Sequence, residues 1–337
     1  MASAFITGVA GRRLGRSERD FLADAKPCGL ILFARNCFHP DQLRALIDDF
    51  KDAVGSDQLI IAIDQEGGRV QRLRPPHWRE LPAGACYARF YQRHCRAAEQ
   101  AINLAGRLMA AELRDLGINC NMVPVLDLPQ QDAHAIISDR ALGHDGGQAA
   151  ALGRALAEGH MAGGVLPVMK HIPGHGRATA DSHLELPVVD AGLDALRCHD
   201  FLPFRMLRDL PAAMTAHVVY AQIDEVHPAS ISRIVHEQII RGEIAFDGLL
   251  MSDDLSMKAL DGDFASRAAM VLAAGSDVVL HCNGELDEMQ QIAGVVPVLA
   301  GQSLRRFAAA LGVTKSHQPV DIALGEAAIA EALTLRR

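Results

Sequence analysis

Short apolar runs alternate with longer amphipathic segments along most of the chain. Eight apolar runs have the length of buried β-strands, and they cover residues 4–9, 30–33, 59–63, 121–126, 165–169, 212–215, 249–251 and 277–280. The segments between them place apolar residues at helical spacing, over residues 41–53, 97–116, 149–161, 195–207 and 265–274. Strands that alternate with helices of this length predict parallel β-α units.

Eight β-α units spread over about 280 residues predict an α/β fold, a single (β/α)8 barrel of the TIM type. A doubly wound sheet is the alternative, but such sheets commonly carry a G-x-G-x-x-G turn after the first strand, and this chain has none. We expect the barrel to occupy residues 1–312 and a C-terminal helical tail, residues 313–337, to pack on its outside. Two long connections, residues 66–88 and 171–191, are candidates for functional loops.

Composition excludes several classes of protein. The 337 residues carry a formal net charge of −8, so we expect no nucleic-acid partner. The seven cysteines are odd in number and form no C-x-x-C pair, which indicates free thiols in a reducing compartment. No apolar run approaches the ~18 residues of a membrane span, and the first run lacks the preceding positive charge of a secretory signal. We therefore expect a soluble, cytoplasmic protein that does not bind membranes.

The predicted strands end in polar or titratable side chains, and in a barrel these ends surround one pocket. The fifth strand shows this most clearly, because it runs into Lys170 and His171 and then opens into a loop rich in glycine and histidine. The other strand ends carry Asp64, Glu66, Asp127, His217, Asp253, Asp254 and His281. A solvated rim can explain any one of these strand ends, but folding alone rarely needs titratable groups at all of them, so the pattern favours a catalytic pocket.

Two adjacent carboxylates follow the seventh predicted strand. Asp253 is a candidate nucleophile or base, and Asp254 can take that role instead. Successive side chains of an extended chain point to opposite faces, so only one of the two should face the pocket. The pair can also cap the helix that follows. We expect one carboxylate to serve as a cap and the other to carry the chemistry.

The residues Asp181 and His183 are spaced i, i+2. Extended backbone places both side chains on one face, where the carboxylate can set the tautomer and basicity of the imidazole. His183 is then a candidate proton carrier. The alternative is a surface Asp-x-His turn, because a three-residue pattern is a weak signal.

Other polar side chains at the strand ends are candidate ligand-binding groups. Asp64 together with Arg69 or Arg72 can bind a polar ligand, although a surface ion pair is the alternative. Lys170 and His171 can hold hydroxyl groups or an amide, although a paired charge at the rim of the barrel is the alternative.

The 15 histidines raise the question of a metal site. Barrel hydrolases that use metals commonly place two histidines one residue apart on an early strand, and the first predicted strand has none. H-E-x-x-H is also absent, and Lys170 beside His171 would repel a divalent cation. Metal catalysis therefore ranks behind metal-free chemistry, and we expect His217 and His281 to be core histidines with hydrogen-bond partners.

Several stretches together match one known family, in order, over roughly residues 29–283. They are GLILF (29–33) with Arg35 and Asn36, DQEGGRVQR (64–72), PVLD (124–127), KHIPGHG (170–176), ADSH (180–183), Ala216 with His217, and SDDLSM (252–257). With these stretches the sequence resembles the bacterial cytoplasmic β-N-acetylglucosaminidases of peptidoglycan recycling, in glycoside hydrolase family three. Ile172 stands where that family usually has phenylalanine.

The resemblance implies roles for particular residues. Asp253 would be the nucleophile, His183 the general acid/base and Asp181 its partner. The residues implied to hold the sugar are Asp64, Arg72, Arg140, Lys170 and His171.

The resemblance also implies a reaction. Terminal β-linked N-acetylglucosamine would be removed from peptidoglycan fragments with retention, through a covalent glycosyl-aspartate. We expect a monomer that acts on this small-molecule substrate with no cofactor and no metal. A metal-dependent barrel hydrolase and a catalytically silent sugar-binding barrel are the rival classes.

Overall fold

Eight parallel strands close into a barrel in the computed structural model, which describes residues 2–130, 136–178 and 186–334. The strands are β1 (Ser3–Thr7), β2 (Pro27–Leu32), β3 (Ile60–Ile63), β4 (Cys120–Asn121), β5 (Leu166–Ile172), β6 (Ala212–Thr215), β7 (Leu249–Asp254) and β8 (Val278–His281). Each strand pairs with its successor along the chain, and β8 pairs with β1. The predicted (β/α)8 barrel is confirmed, and the doubly wound alternative is wrong.

Helices cover the outside of the barrel. They are α1 (Arg16–Ala25), α2 (Pro40–Val54), α3 (Gly84–Tyr91), α4 (Cys95–Asp115), α5 (Gly146–Ala162), α6 (Leu193–Ala195), α7 (Leu202–Met206), α8 (Phe264–Ala274), α9 (Leu286–Ala293), α10 (Gly301–Gly312) and α11 (Ile322–Thr334). The segments Leu196–Asp200 and Val235–Glu243 are π-helical. Within the described ranges, no helix combines the length and the apolar character that crossing a bilayer requires. All seven cysteines are free thiols.

Alternate strand positions face opposite layers of the core. In β3, Ile60 and Ala62 pack with residues of the other strands in the barrel interior, whereas Ile61 and Ile63 pack with the buried faces of the surrounding helices. This is the pattern of a filled barrel rather than a pore. The C-terminal α11 packs against α4 through the buried side chains of Ala328 and Ile329.

Several strand boundaries differ from the predicted ones, and those of β4 and β5 bear on the polar strand ends. The sequence predicts a strand over residues 121–126, but β4 has only two residues because Pro124 offers no N–H to the ladder. The chain regains contact with β5 at Val125, which bridges to Lys170. The fifth strand is longer than predicted, since it continues through Lys170 and His171 to Ile172. These two polar residues therefore belong to the strand itself.

Two buried histidines on the outer layer carry a testable consequence for stability. His160 and His236 are almost completely buried, and burial lowers the pKa of each to about 4. In the unfolded chain, histidine takes up a proton near pH ~6.5. A lowered folded-state pKa means that each histidine's contribution to stability is present above pH ~6.5 and is lost as the pH falls toward 4.

We expect the free energy of unfolding to fall by roughly 2 to 3 kcal/mol per histidine over this window. Urea denaturation of the wild type and of His160→Gln, followed between pH 7 and pH 4, measures it. The wild type should lose more stability than the variant, so the difference between them should narrow on acidification. If the unfolding free energies of the wild type and the variant change equally with pH, the prediction is wrong.

Candidate active site

A cavity of about 250 Å³ opens at the carboxyl end of the barrel strands. Six residues selected from the sequence line it, namely Asp64, Arg72, Arg140, Lys170, His171 and Asp253. Apolar side chains complete the wall, among them Phe33, Met214, Met257 and Leu280. The remaining two selected residues, Asp181 and His183, lie outside the described residues, so their roles stay predictions.

Five charged side chains form an alternating chain along one wall of the cavity. The ammonium group of Lys170 lies 2.8 Å from Asp64 Oδ1 and 2.6 Å from Glu66 Oε1. Asp64 Oδ2 also accepts a hydrogen bond of 3.0 Å from Arg72 Nη2. Arg140 contacts Glu66 through two parallel bonds of 2.8 Å each. Three cations and two carboxylates are thereby fixed relative to one another, and they leave one net positive charge.

This pairing keeps the groups of the chain ionised at neutral pH. Burial alone would raise the pKa of Asp64, but the charges of Lys170 and Arg72 outweigh it and hold that pKa well below its usual range. Glu66 behaves in the same way, and Arg140 with Lys170 lowers its pKa to about 2. Burial lowers the pKa of Lys170, but the two carboxylates outweigh burial and raise it above its ordinary value. The wall therefore presents permanent donors and acceptors to a ligand.

A short hairpin after β3 places Glu66 on this wall. Its strands, Gln65–Gly67 and Val70–Gln71, are antiparallel and meet at two glycines with positive φ, 101° at Gly67 and 59° at Gly68. A Cβ at Gly67 would lie 2.2 Å from the carbonyl oxygen of Pro82. Only glycine allows the hairpin to pack so closely against residues 81–83.

A buried carboxylate orients the ring of His171 in β5 and holds the backbone of His175 in the loop that follows. Asp127 is completely buried and accepts hydrogen bonds from His171 Nδ1 (2.6 Å), the His171 N–H (3.2 Å) and the His175 N–H (2.6 Å). Burial raises the pKa of Asp127, but the neighbouring histidines outweigh it and lower it to about 2. The contact turns His171 Nδ1 toward Asp127 and leaves Nε2 on the opposite edge of the ring. Burial and the nearby His171 lower the pKa of His175 to about 4.

The two carboxylates at the end of β7 have different surroundings. Asp254 accepts hydrogen bonds from the Ser256 N–H (3.0 Å), the Ser256 hydroxyl and the Cys282 N–H (3.0 Å). Asp253 is partly buried on the cavity wall, and its Oδ1 accepts from the Asp254 N–H at 2.8 Å. Asp254 therefore caps a turn and connects β7 to β8.

Two details of the expectation for this pair are wrong. Both carboxylates line the cavity, because the register between β7 and β8 shifts between Met251 and Asp254 and the strict alternation of faces ends there. The helix that follows, α8, is capped by Asp263, whose side chain accepts from the Ser266 N–H at 2.8 Å.

Comparison with known proteins identifies the family of the chain. The chain matches the Glycosyl hydrolase family 3 N terminal domain over residues 6–310. It belongs to glycosyl hydrolase family 3. The resemblance seen in the sequence motifs is thus confirmed, and the protein is a glycoside hydrolase.

Relatives within family 3 match most of the chain. The β-hexosaminidase of Aromatoleum aromaticum is 42% identical over 279 residues, which cover 82% of this chain and 78% of that protein. The β-hexosaminidase of Methylococcus capsulatus is 38% identical over 94% of both chains. The crystal structure of NagZ from Neisseria gonorrhoeae in complex with N-trifluoroacetyl-D-glucosamine has a TM-score of 0.89 at 34% identity, and covers 100% of this chain and 98% of that one.

Other polar strand ends of this family 3 barrel have structural partners. His217 Nδ1 lies 2.7 Å from Ser230 Oγ and its Nε2 lies 3.1 Å from the Asp254 carbonyl oxygen. His281 Nε2 lies 2.7 Å from Glu288 Oε2. The expectation of core histidines with hydrogen-bond partners is confirmed for both.

The sequence left the arginine partner of Asp64 open, and the structure decides it. Arg72 pairs with Asp64, whereas Arg69 pairs with Asp139 at 2.8 Å. Sequence reasoning also failed to select Glu66, although its i, i+2 spacing from Asp64 was a usable signal, because it places both carboxylates on one face.

Two further residues of the site, Asp127 and His175, were not selected as site residues. Both stand in stretches that match the family, and Asp127 was noted only as a polar strand end.

Proposed function

We propose that this family 3 glycoside hydrolase is a β-N-acetylhexosaminidase that removes terminal, β-linked N-acetylglucosamine from peptidoglycan fragments during cell-wall recycling. The observation that carries the proposal is the alternating ion chain that shares one cavity with Asp253. The curated relatives named β-hexosaminidase support the class of sugar.

The groups on the cavity wall suit a pyranose. Neighbouring hydroxyl groups of a sugar each donate and accept, and here the carboxylate of Asp64 can accept while Lys170 and Arg72 can donate. His171, oriented by Asp127, offers a further ring nitrogen. The cavity of about 250 Å³ is small beside the ~300–1,000 Å³ of drug-sized ligand sites. It therefore favours a single terminal sugar residue.

The proposed mechanism is a double displacement. The Asp253 carboxylate attacks the anomeric carbon, a C–O bond to the aspartate forms, and the bond to the leaving oxygen breaks as His183 protonates that oxygen. His183, now neutral, then takes a proton from water as the water displaces Asp253 and restores the β configuration. Asp181 supports the imidazolium form of His183. The three donors around Asp254 reduce its nucleophilicity, which favours Asp253 as the attacking group.

The proposal includes a cytoplasmic location, a monomeric state and no cofactor. Seven free thiols support a reducing compartment. Cell fractionation and light scattering of the purified protein test location and oligomeric state separately from activity.

Product analysis tests the reaction itself. The purified chain is incubated with an aryl N-acetyl-β-glucosaminide, and with N-acetylglucosaminyl-anhydromuramyl peptide, in buffers with and without phosphate. NMR should show free N-acetylglucosamine first released as the β anomer, with the same product in both buffers. A sugar 1-phosphate would instead identify phosphate as the acceptor. Failure to cleave any β-N-acetylglucosaminide would contradict the proposed function.

The leaving group tests the role of His183. We expect His183→Ala to lower the rate on a poor, sugar leaving group by roughly 10²–10⁴-fold, because that oxygen departs only when it is protonated. A dinitrophenyl glycoside needs no proton to leave, so its glycosylation step should lose far less. Single-turnover kinetics on both substrates measure the two losses. Equal losses would argue against His183 as the acid.

A further inference from the structure

The side chain of Gln65 organises the backbone behind the sugar site. It is 3% exposed and lies between Asp64 and Glu66 in the chain. Its Oε1 accepts from the N–H groups of Arg72 and Leu73, each at 3.0 Å, and its Nε2 donates to the Leu73 carbonyl at 3.1 Å. One buried amide therefore fixes the backbone from which the Arg72 side chain reaches toward Asp64.

Arg72 depends on this backbone anchor. Its Nη2 contacts Asp64, and its guanidinium lies 4.9 Å from the centroid of the Phe33 ring. Arg72 Nε is buried and makes no hydrogen bond within the part of the chain that the structure describes. The guanidinium has one ion-pair contact and one ring contact, so the position of its backbone helps to decide where it points.

Asn121, at the end of β4, fixes the backbone of Gln65 in turn. Its Oδ1 accepts from the Gln65 N–H at 2.9 Å, and its Nδ2 donates to the Gln65 carbonyl at 3.0 Å. The two bonds set the orientation of the Asn121 amide, because a flipped amide would lose both. The completely buried side chain thus connects β4 to the first residue of the hairpin.

His160, on α5, completes the connection. Its Nε2 lies 3.0 Å from Asn121 Nδ2 and its Nδ1 lies 2.9 Å from the Leu156 carbonyl oxygen. Since Asn121 Nδ2 can only donate, Nε2 must accept and Nδ1 must carry the proton, so the ring is neutral. The lowered pKa of His160 agrees with that state.

We propose that Gln65, Asn121 and His160 form a positioning relay that sets the Arg72 guanidinium against Asp64 and thereby sets the affinity of the site for its sugar. The described cavity lining includes none of the three, so they act through Asp64 and Arg72 as positioning residues. The relay rests on the proposed function, because the role of Asp64 and Arg72 in binding the sugar is itself part of that proposal.

The first test removes the hydrogen bonds of Gln65 while keeping the length of its side chain. For Gln65→Met we expect KM for an aryl N-acetyl-β-glucosaminide to rise roughly 10-fold with little change in kcat, because binding lost equally in the ground and transition states appears in KM. The inhibition constant of N-acetylglucosamine should rise by the same factor. In an Arg72→Met background the same substitution should change KM by less than about 2-fold, because its effect passes through Arg72.

A matched pair of histidines separates positioning from stability. His236 resembles His160, because its Nδ1 lies 3.0 Å from the Ser232 carbonyl four residues earlier and its Nε2 lies 3.1 Å from Ser276 Oγ. It belongs to a π-helical segment whose residues are absent from the described cavity lining. His160→Leu and His236→Leu should lower Tm alike, but only His160→Leu should raise KM, roughly 3-fold or more. His160→Gln keeps an acceptor for Asn121, so its KM should stay close to the wild-type value.

The outcomes distinguish the relay from the function on which it rests. If the wild type cleaves the glycoside but Gln65→Met and His160→Leu lower only Tm, the relay is wrong and the function stands. The relay is equally wrong if the effects of Gln65→Met and Arg72→Met multiply. If Gln65→Met does not fold, the comparison of KM between His160→Leu and His236→Leu tests the relay instead. If the wild type cleaves nothing and does not bind N-acetylglucosamine, the proposed function fails and the relay fails with it.

Discussion

Replacement of Asp253 by alanine is expected to lower kcat by ~10⁴-fold or more, because the proposed displacement then lacks its proposed nucleophile. Asp253 lies on the cavity wall at the end of β7. The neighbouring Asp254 cannot simply take over this role, because the Asp254 carboxylate already accepts hydrogen bonds from Ser256 and Cys282. Steady-state rates on an aryl N-acetyl-β-glucosaminide measure the loss, and Tm checks that the variant remains folded.

Chemical rescue makes this prediction specific. In Asp253→Ala, added azide should occupy the space of the missing carboxylate and attack the anomeric carbon, so that a C–N bond forms as the activated phenolate leaves. One inversion of the β-glycoside gives the α-glycosyl azide, which NMR identifies. If Asp253→Ala retains more than a tenth of wild-type activity without azide, or yields a β-azide, the nucleophile lies elsewhere, and Asp254 becomes the first candidate.

The sequence could predict the barrel because its evidence is local. Each buried strand is a short apolar run, and the polar residues that end it are its immediate neighbours along the chain, as at Asp64 after β3. The same local signal misjudged β5, since the apolar run stops at Met169 while the strand continues through Lys170 and His171. It also missed the division of residues 195–207 into a π-helical segment and α7.

The pairing within the site could not be predicted, because the partners are far apart along the chain. Glu66 contacts Arg140, which lies 74 residues further along the chain, and Asp127 contacts His171, which lies 44 residues further along. Arg72 rather than Arg69 reaches Asp64 because of the hairpin between them. These contacts depend on how strands and loops come together, which no local periodicity encodes.

Lys170→Met is the second substitution with a large expected effect. The Lys170 side chain is 3% exposed and bridges Asp64 and Glu66, so its removal leaves two buried carboxylates without their shared cation. Removing one partner of a buried ion pair lowers the free energy of unfolding by about 3–5 kcal/mol. The sugar would also lose a charged donor while both carboxylates change position, so kcat/KM should fall by ~10³-fold.

The pH dependence of Lys170→Met separates this electrostatic cause from lost packing. In the wild type, Asp64 and Glu66 have lowered pKa values, so the stability that they contribute is present at neutral pH and is lost only in strong acid. Without Lys170 both pKa values rise, and the folded variant takes up protons at a higher pH than the wild type does. The deficit in unfolding free energy should therefore be largest at pH 7 and narrow toward pH 5. Lys315 is exposed, so Lys315→Met is the control, and its unfolding free energy should match that of the wild type at every pH. If the deficit of Lys170→Met is instead constant with pH, lost packing is the cause.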